Sequence, residues 1–193
     1  KETTEMLMCA EDLGVIPRCV PKVLADLDVL SLKIERWSRE YDKPEEPYIQ
    51  VGSYPFLSVC IPSVHDTSTL RGWWEQDLQE EEKKFFLEQT GIDIPCKDEY
   101  TPELAEALIE HSLSSSSVLT IFQIQDLFSM FSELQVSNPG EERINVPGTL
   151  NESNWTYRMY SSIEFLVSFD KMNDRLGKMI DKRRTRTLSI KKS

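Results

Sequence analysis

Two stretches decide the reading of this chain: Met6-Leu-Met-Cys-Ala-Glu-Asp-Leu-Gly14 and Leu57-Ser-Val-Cys-Ile-Pro-Ser-Val-His-Asp66. In each, a short apolar run ends in acidic residues. Apolar runs of about four to eight residues suit strands buried on both faces, as in a parallel sheet. Carboxylates placed where such strands stop lie at the carboxyl edge of the sheet, where barrel and open α/β enzymes keep their chemistry. Glu11 and Asp66 are therefore the first candidates for catalysis, and the chain reads as an enzyme or part of one.

Outward from these runs, strands alternate with helices. The first strand is expected from Thr4. Pro17 precedes an apolar-periodic segment (Val20, Val23, Leu24, Leu27), where proline is tolerated near a helix start. Residues 29–35 form a second strand, and residues 37–55, with Pro44, Pro47, Pro55 and Gly52, an irregular loop. The third strand spans 56–61. Residues 67–89 then read as one long helical stretch, with 80–84 as its solvated face. Thr101 and Pro102 supply an N-cap and a first helical proline, followed by the stripe Leu104, Leu108 and Ile109. Residues 118–122 are the fourth strand, Gln125-Asp126 open a short apolar helix, and 137–157 form a turn-rich loop. Helices over 160–168 and 171–184 close the chain. This alternation implies βα units and a parallel sheet. Four parallel strands make half of an eight-stranded barrel, or a small open sheet.

Composition narrows the class. At 193 residues the chain is one ordinary domain or a piece of something larger, and its start at Lys1 looks like a cut through a longer polypeptide. A 39% apolar fraction with only 7 glycines fits a globular, helix-containing protein. No run of 18 apolar residues is present, which excludes a transmembrane helix, and no secretion signal is visible. Cys9, Cys19, Cys60 and Cys96 have neither CxxC spacing nor neighbouring histidines, which argues against zinc. With Cys9 and Cys60 expected inside buried strands, the thiols read as reduced and the protein as cytoplasmic. Asn151-Glu-Ser and Asn154-Trp-Thr match a glycosylation pattern, but nothing else points to secretion. Residues 171–193 hold nine Lys/Arg against two acids, +7, which leaves −18 on residues 1–170 of the total −11. An acidic body is unsuited to nucleic acid, and the basic tail reads as a solvated helix and terminus.

The blocks Ala10-Glu-Asp-Leu-Gly14, Ser63-Val-His-Asp66 with Leu70-Arg-Gly-Trp-Trp74, Gln125-Asp126, and Arg143-Ile-Asn-Val-Pro-Gly148 with Asn154-Trp155 closely resemble, in this order, the 4-α-glucanotransferases. That is the amylomaltase or disproportionating-enzyme family (glycoside hydrolase family 77) of the α-amylase-like barrel enzymes. The likeness covers about residues 5–168. It implies an α/β fold that is the carboxyl-terminal half of a (β/α)8 TIM-type barrel over residues 1–168, followed by a basic helical tail over 169–193.

The resemblance further implies a retaining transglycosylase working through a carboxylate pair about 5–5.5 Å apart. Glu11 matches the family's acid/base, Asp66 its transition-state stabiliser, and His65 a ligand of sugar hydroxyls. An acid that is protonated near neutral pH needs apolar surroundings or neighbouring carboxylates. The nucleophilic aspartate belongs to an Arg-x-Asp-His block on the preceding strand, and no such block occurs in this sequence. The chain is therefore expected to carry two of three catalytic carboxylates and to be inactive alone. Its implied partners are maltose, maltodextrin or α-glucan, and either the amino-terminal half of the barrel or a second copy paired through exposed strand edges. No metal or cofactor is implied.

Each assignment has a plainer counterpart. Glu11 could be a helix-start acid, Asp66 an N-cap, and Asp12 the cap of the helix that follows. Trp73 and Trp74 could stack on sugars, though at least one is expected in the core. Asn145, Asn154 and Trp155 could bind substrate, with loop capping as the alternative for the asparagines. His111 reads as structural, and Gln125-Asp126 as a possible helix cap near the barrel mouth. Two other functions stay open: a non-catalytic carbohydrate-binding or interaction module, and an α-amylase-clan hydrolase.

Overall fold

The computed structural model describes residues 5–190, with side chains through 185, so Thr4 and the last residues of the basic tail lie outside it. Four strands form one sheet: β1 (Cys9–Ala10), β2 (Leu30–Ile34), β3 (Ser58–Ile61) and β4 (Leu119–Thr120). All pairs are parallel and the spatial order follows the sequence. Ala10 lies level with Ser31 and Ser58, and Lys33 with Cys60 and Thr120. Each crossover thus steps one strand further in the same direction. This is the winding of a barrel; a doubly wound sheet reverses its order.

Among the described residues seven α-helices accompany the strands: α1 (Val20–Asp26), α2 (Leu70–Gly72), α3 (Glu80–Thr90), α4 (Pro102–Leu113), α5 (Ile124–Phe128), α6 (Ile163–Ser168) and α7 (Asp170–Ile190). The start of α4 is as expected, with Thr101 Oγ1 accepting from the Leu104 N–H at 3.3 Å and Pro102 in the first turn. The stretch 67–89 is not one helix. After α2 the chain widens into a π turn over Trp73–Asp77, closed by Leu78 N–H donating to Trp73 O at 3.0 Å, and then extends at Leu78. Gln79 N–H donates to Glu82 Oε2 at 2.9 Å, which gives α3 a start of its own.

The main core lies among the helices. Trp74 is fully buried and Trp73 nearly so, and Phe86, Leu104, Leu108, Phe128 and Phe131 join them. Trp73 meets Phe86 edge to face at 5.0 Å, and Trp74 Nε1 donates to Lys97 O at 2.8 Å. Both tryptophans are therefore structural. α7 docks on this core through Met172 and Met179 and pairs with α4 through Arg175–Glu106 and Lys182–Glu110. One face of the basic helix is thus committed to acidic α4.

The first strand corrects an expectation. Cys60 is buried at the centre of the sheet, but Cys9 is exposed, as are Met6 (76%) and Leu7 (61%). β1 is an edge strand that pairs with β2 alone among the described residues, so its apolar run is uncovered there. Among the described residues no helix is long and apolar enough to cross a membrane.

Trp74→Ala is expected to lower stability by about 3–5 kcal/mol, through the cavity it opens and the orphaned Lys97 carbonyl. Val15→Ala, at a fully exposed position, should stay within about 0.5 kcal/mol. Urea denaturation of the two variants checks both values.

Candidate active site

β3 ends at Ile61, and the chain then makes a tight turn. Thr67 N–H donates to Val64 O at 3.0 Å, and Val64 N–H donates to Thr67 Oγ1 at 3.1 Å. The tip of this turn is His65-Asp66, whose side chains are 51% and 45% exposed. Asp66 is not a helix cap: Thr69 holds that place, its Oγ1 accepting from the Gly72 N–H at 3.2 Å.

The loop after α5 closes over this tip. Asn145 Nδ2 donates to Asp66 Oδ1 at 2.6 Å, and the Asn145 N–H donates to His65 O at 3.1 Å. Arg143 Nη2 reaches Asp66 O at 3.4 Å. His65 Nε2 lies 3.5 Å from Asp66 Oδ2, and its ring packs on Trp155 with centroids 5.0 Å apart. Trp155 has φ +64°, a left-handed conformation that a bulky residue rarely adopts and that favours strained, functional positions. Asn154 is occupied within its own loop, accepting from Val146 N–H at 3.1 Å and donating to Thr149 O at 3.2 Å. The sequence-nominated residues His65, Asp66, Asn145, Asn154 and Trp155 thus gather in one cluster.

Glu11 stands at the same mouth but outside that cluster. It follows β1 directly and is exposed, and β2 separates its strand from that of Asp66. Asp12 does not cap a helix, because α1 begins only at Val20. Its carboxylate instead accepts from the Leu32 N–H at 2.6 Å and pairs with Lys33 at 3.4 Å. This ties the segment after Glu11 to β2, and Gly14, at φ +75°, then turns the chain away.

Beneath the exposed tips lies a buried polar layer, of which the sequence marked only Gln125-Asp126; Asp126 lies within α5 and does not cap it, binding instead the first amide of α2. Asp126 Oδ1 accepts from the Leu70 N–H at 2.7 Å, and its other oxygen accepts from Ser63 Oγ. Burial pushes its carboxyl upward, while Ser63, the Leu70 amide and the charge of Arg36 pull it back. Arg36 Nε donates to Pro62 O at 3.2 Å and its Nη1 to Ser68 Oγ at 3.1 Å, with the guanidinium over Trp73. Glu142 accepts from Thr69 Oγ1 at 2.7 Å and from Arg71 at 3.3 Å. The available signal was the adjacent pair Glu35-Arg36 at a strand's carboxyl end, where two charges in sequence are costly unless partnered.

Glu35 and His111 form a buried pair. His111 Nε2 lies 3.2 Å from Glu35 Oε1, and Ser112 Oγ donates to Glu35 Oε2 at 2.6 Å. Burial raises Glu35 from 4.5 to about 7, against smaller lowering by Ser112 and Arg36, and burial lowers His111 from 6.5 to about 4. Both shifts favour the neutral pair, so His111 is structural, as expected.

The fold and the mouth together define a partial parallel α/β barrel with carboxylates beyond its strand ends. The comparisons make this specific. The family model described as 4-alpha-glucanotransferase matches residues 1–163. The 4-alpha-glucanotransferase DPE2 of Oryza sativa subsp. japonica is 34% identical over 168 residues, covering 86% of this chain and 17% of that protein. The 4-alpha-glucanotransferase of Chlamydia muridarum is 36% identical over 182 residues, covering 92% of this chain and 33% of that protein. Among solved structures, the amylomaltase from Streptococcus agalactiae in complex with acarbose superposes with a TM-score of 0.65 at 21% identity, covering 91% of this chain and 31% of that one. The amylomaltase from Corynebacterium glutamicum gives the same TM-score at 17% identity, covering 90% of this chain and 28% of that one. The chain belongs to the 4-alpha-glucanotransferase family. It spans about a third or less of the length of these relatives.

The Glu35–His111 pair gives a pH test. The raised Glu35 contributes stability that is full below 4.5 and lost as pH rises to about 7; the lowered His111 contributes stability that is absent near pH 4 and full above 6.5. The two slopes oppose each other in the native protein. Relative to wild type, Glu35→Gln should gain about 3 kcal/mol between pH 4.5 and 7, and His111→Gln should lose about 3 kcal/mol between pH 4 and 6.5. Denaturant titrations across that range read both differences; parallel curves for all three proteins would refute the neutral pair.

Proposed function

We propose that this chain supplies part of the catalytic centre of a retaining 4-α-glucanotransferase, which moves an α-1,4-glucanosyl segment to the 4-hydroxyl of glucose or another glucan. The observation that carries this reading is the turn at residues 64–67. It presents Asp66 and His65, with Asn145 and Trp155 packed on them, at the sheet mouth that also bears Glu11.

In this reaction Glu11 protonates the leaving glycosidic oxygen and later takes the proton of the incoming hydroxyl. Asp66 faces the positive charge that develops on the anomeric carbon, and Asn145 fixes which of its oxygens does so. His65 donates to sugar hydroxyls from an orientation set by Trp155. Asn154 braces the loop that delivers both. The attacking carboxylate comes from the part of the relatives' length that this chain does not span. Barrel strands from that part would cover the free edges of β1 and β4, whose neighbours Met6, Leu7 and Ile121 are exposed. We place the protein in the cytoplasm, a reading supported by its four free cysteines, one of them exposed in the segment that ends in Glu11.

The chain alone is expected to leave maltotriose unchanged. Co-expressed with the segment of the Chlamydia muridarum relative that precedes the matched region, it should yield glucose together with a ladder of longer glucans. Glu11→Gln and Asp66→Asn should each lower that activity by about 10²- to 10⁴-fold. Activity indifferent to both substitutions would remove the site assignment, and free sugars without a ladder would make the enzyme a hydrolase.

A further inference from the structure

Trp37 is left unused by the proposed reaction. It ends the short 3-10 turn Glu35–Trp37 after β2, where its two predecessors are buried and Trp37 itself is 45% exposed. The carboxyl and the guanidinium go inside and the aromatic stays out, the reverse of what partitioning alone would give. Their bonds explain how the ring is held. Glu35 is bonded to α4, and Arg36 to Pro62 and Ser68 on either side of the Asp66 turn. The Trp37 carbonyl accepts from Tyr41 Oη at 2.9 Å and from the Arg39 N–H at 3.0 Å. A large apolar ring is thus held out from a fixed backbone, at the end of the strand between those of Glu11 and Asp66.

Trp37 also forms the wall between two clefts. On one side a cleft of about 390 Å³ passes Asp66, Asp77, Glu82 and Arg143. On the other, a cleft of about 990 Å³ reaches Asp12, Gly14 and Tyr41. Building on the glucanotransferase reading, we infer that Trp37 is a stacking platform for one glucosyl unit of an α-1,4-glucan, whose hydroxyls bond to the acids and Arg143 of the smaller cleft. A pyranose offers an apolar C–H face and a rim of hydroxyls. An exposed indole covers the face, and alternating carboxylates and guanidinium satisfy the rim. Three acids against Arg36 and Arg143 leave that wall net negative, which disfavours a phosphate or other anion.

Calorimetric titration of the 193-residue chain with maltoheptaose tests this. Wild type should bind, Trp37→Ala should bind about three- to tenfold more weakly, the worth of one aromatic contact, and Trp37→Phe should recover most of the loss. Trp73 and Trp74 are buried, so tryptophan fluorescence on titration should respond through Trp37 and persist in Trp155→Phe. Equal affinity in wild type and Trp37→Ala overturns the platform alone. Absence of binding by every form overturns the platform together with the glucan-binding reading beneath it.

Discussion

The structure of the mouth depends on one carboxylate. Asp126, wholly buried in α5, receives Ser63 on one oxygen and the Leu70 amide on the other. These two donors flank the segment whose tip is His65-Asp66. One rigid group therefore grips both ends of that segment and leaves the turn a single geometry. Charge-assisted hydrogen bonds of this kind offset the desolvation of a buried carboxylate, and none of its neighbours could be lost without orphaning another. Adjacent residues extend the grip. Gln123 Nε2 donates to Ser63 Oγ at 2.6 Å, and Gln125 Nε2 donates to Glu142 O at 3.1 Å, which fixes the start of the loop that carries Asn145. Both site loops are thus hung from the junction of β4 and α5.

That arrangement explains how a mouth with open sheet edges stays ordered. β1 and β4 pair over only two residues each, so the ladder contributes little rigidity at the margins. The apolar core sits among α2 to α5 and α7 instead. Loops anchored there by Asp126, Arg71 and Glu142 inherit the rigidity of the helices. Glu11 lacks such anchoring; the two-residue β1–β2 ladder and Asp12, reaching β2, hold its segment. The two proposed catalytic carboxylates therefore rest on supports of unequal strength, the weaker on the side where the sheet has a free edge.

Much of this was legible beforehand. Strands β2, β3 and β4 and helix α4 fall within the segments their patterns marked, because each is a short apolar run or a capped amphipathic stripe whose signal is local. The reading of 67–89 as one helix failed at Leu78, since a π turn followed by a fresh start leaves the apolar periodicity almost intact. Cys9 was expected inside because an apolar run looks the same whether or not a neighbouring strand covers it. Asp12 was assigned to a helix, yet its partners lie twenty residues away on β2, a distance no local pattern encodes. The cluster of His65, Asp66, Asn145, Asn154 and Trp155 came from ordered motif blocks; local propensity says nothing about a hydrogen bond between residues 66 and 145.

The remaining puzzle is why a domain this size buries Arg36, Arg71, Lys83, Asp126 and Glu142. Apolar residues of similar volume would often give equal or greater stability, since buried ions lose more hydration than their pairing returns. Hydrophobic contacts, however, are non-directional, and a loop packed by them can settle in several near-equivalent positions. A guanidinium bonded to Pro62 O and Ser68 Oγ, or a carboxylate bonded to Ser63 and Leu70, admits one. Asp126 and Arg36 lie beneath the 62–70 segment, and Arg36 directly precedes Trp37; the groups they support, Asp66, His65 and Trp37, are the ones left in solvent. Exposed tips on buried ionic roots are what a site needs if its side chains must meet a hydrated substrate without being free to wander. The stability forgone in the roots is the physical trace of that requirement.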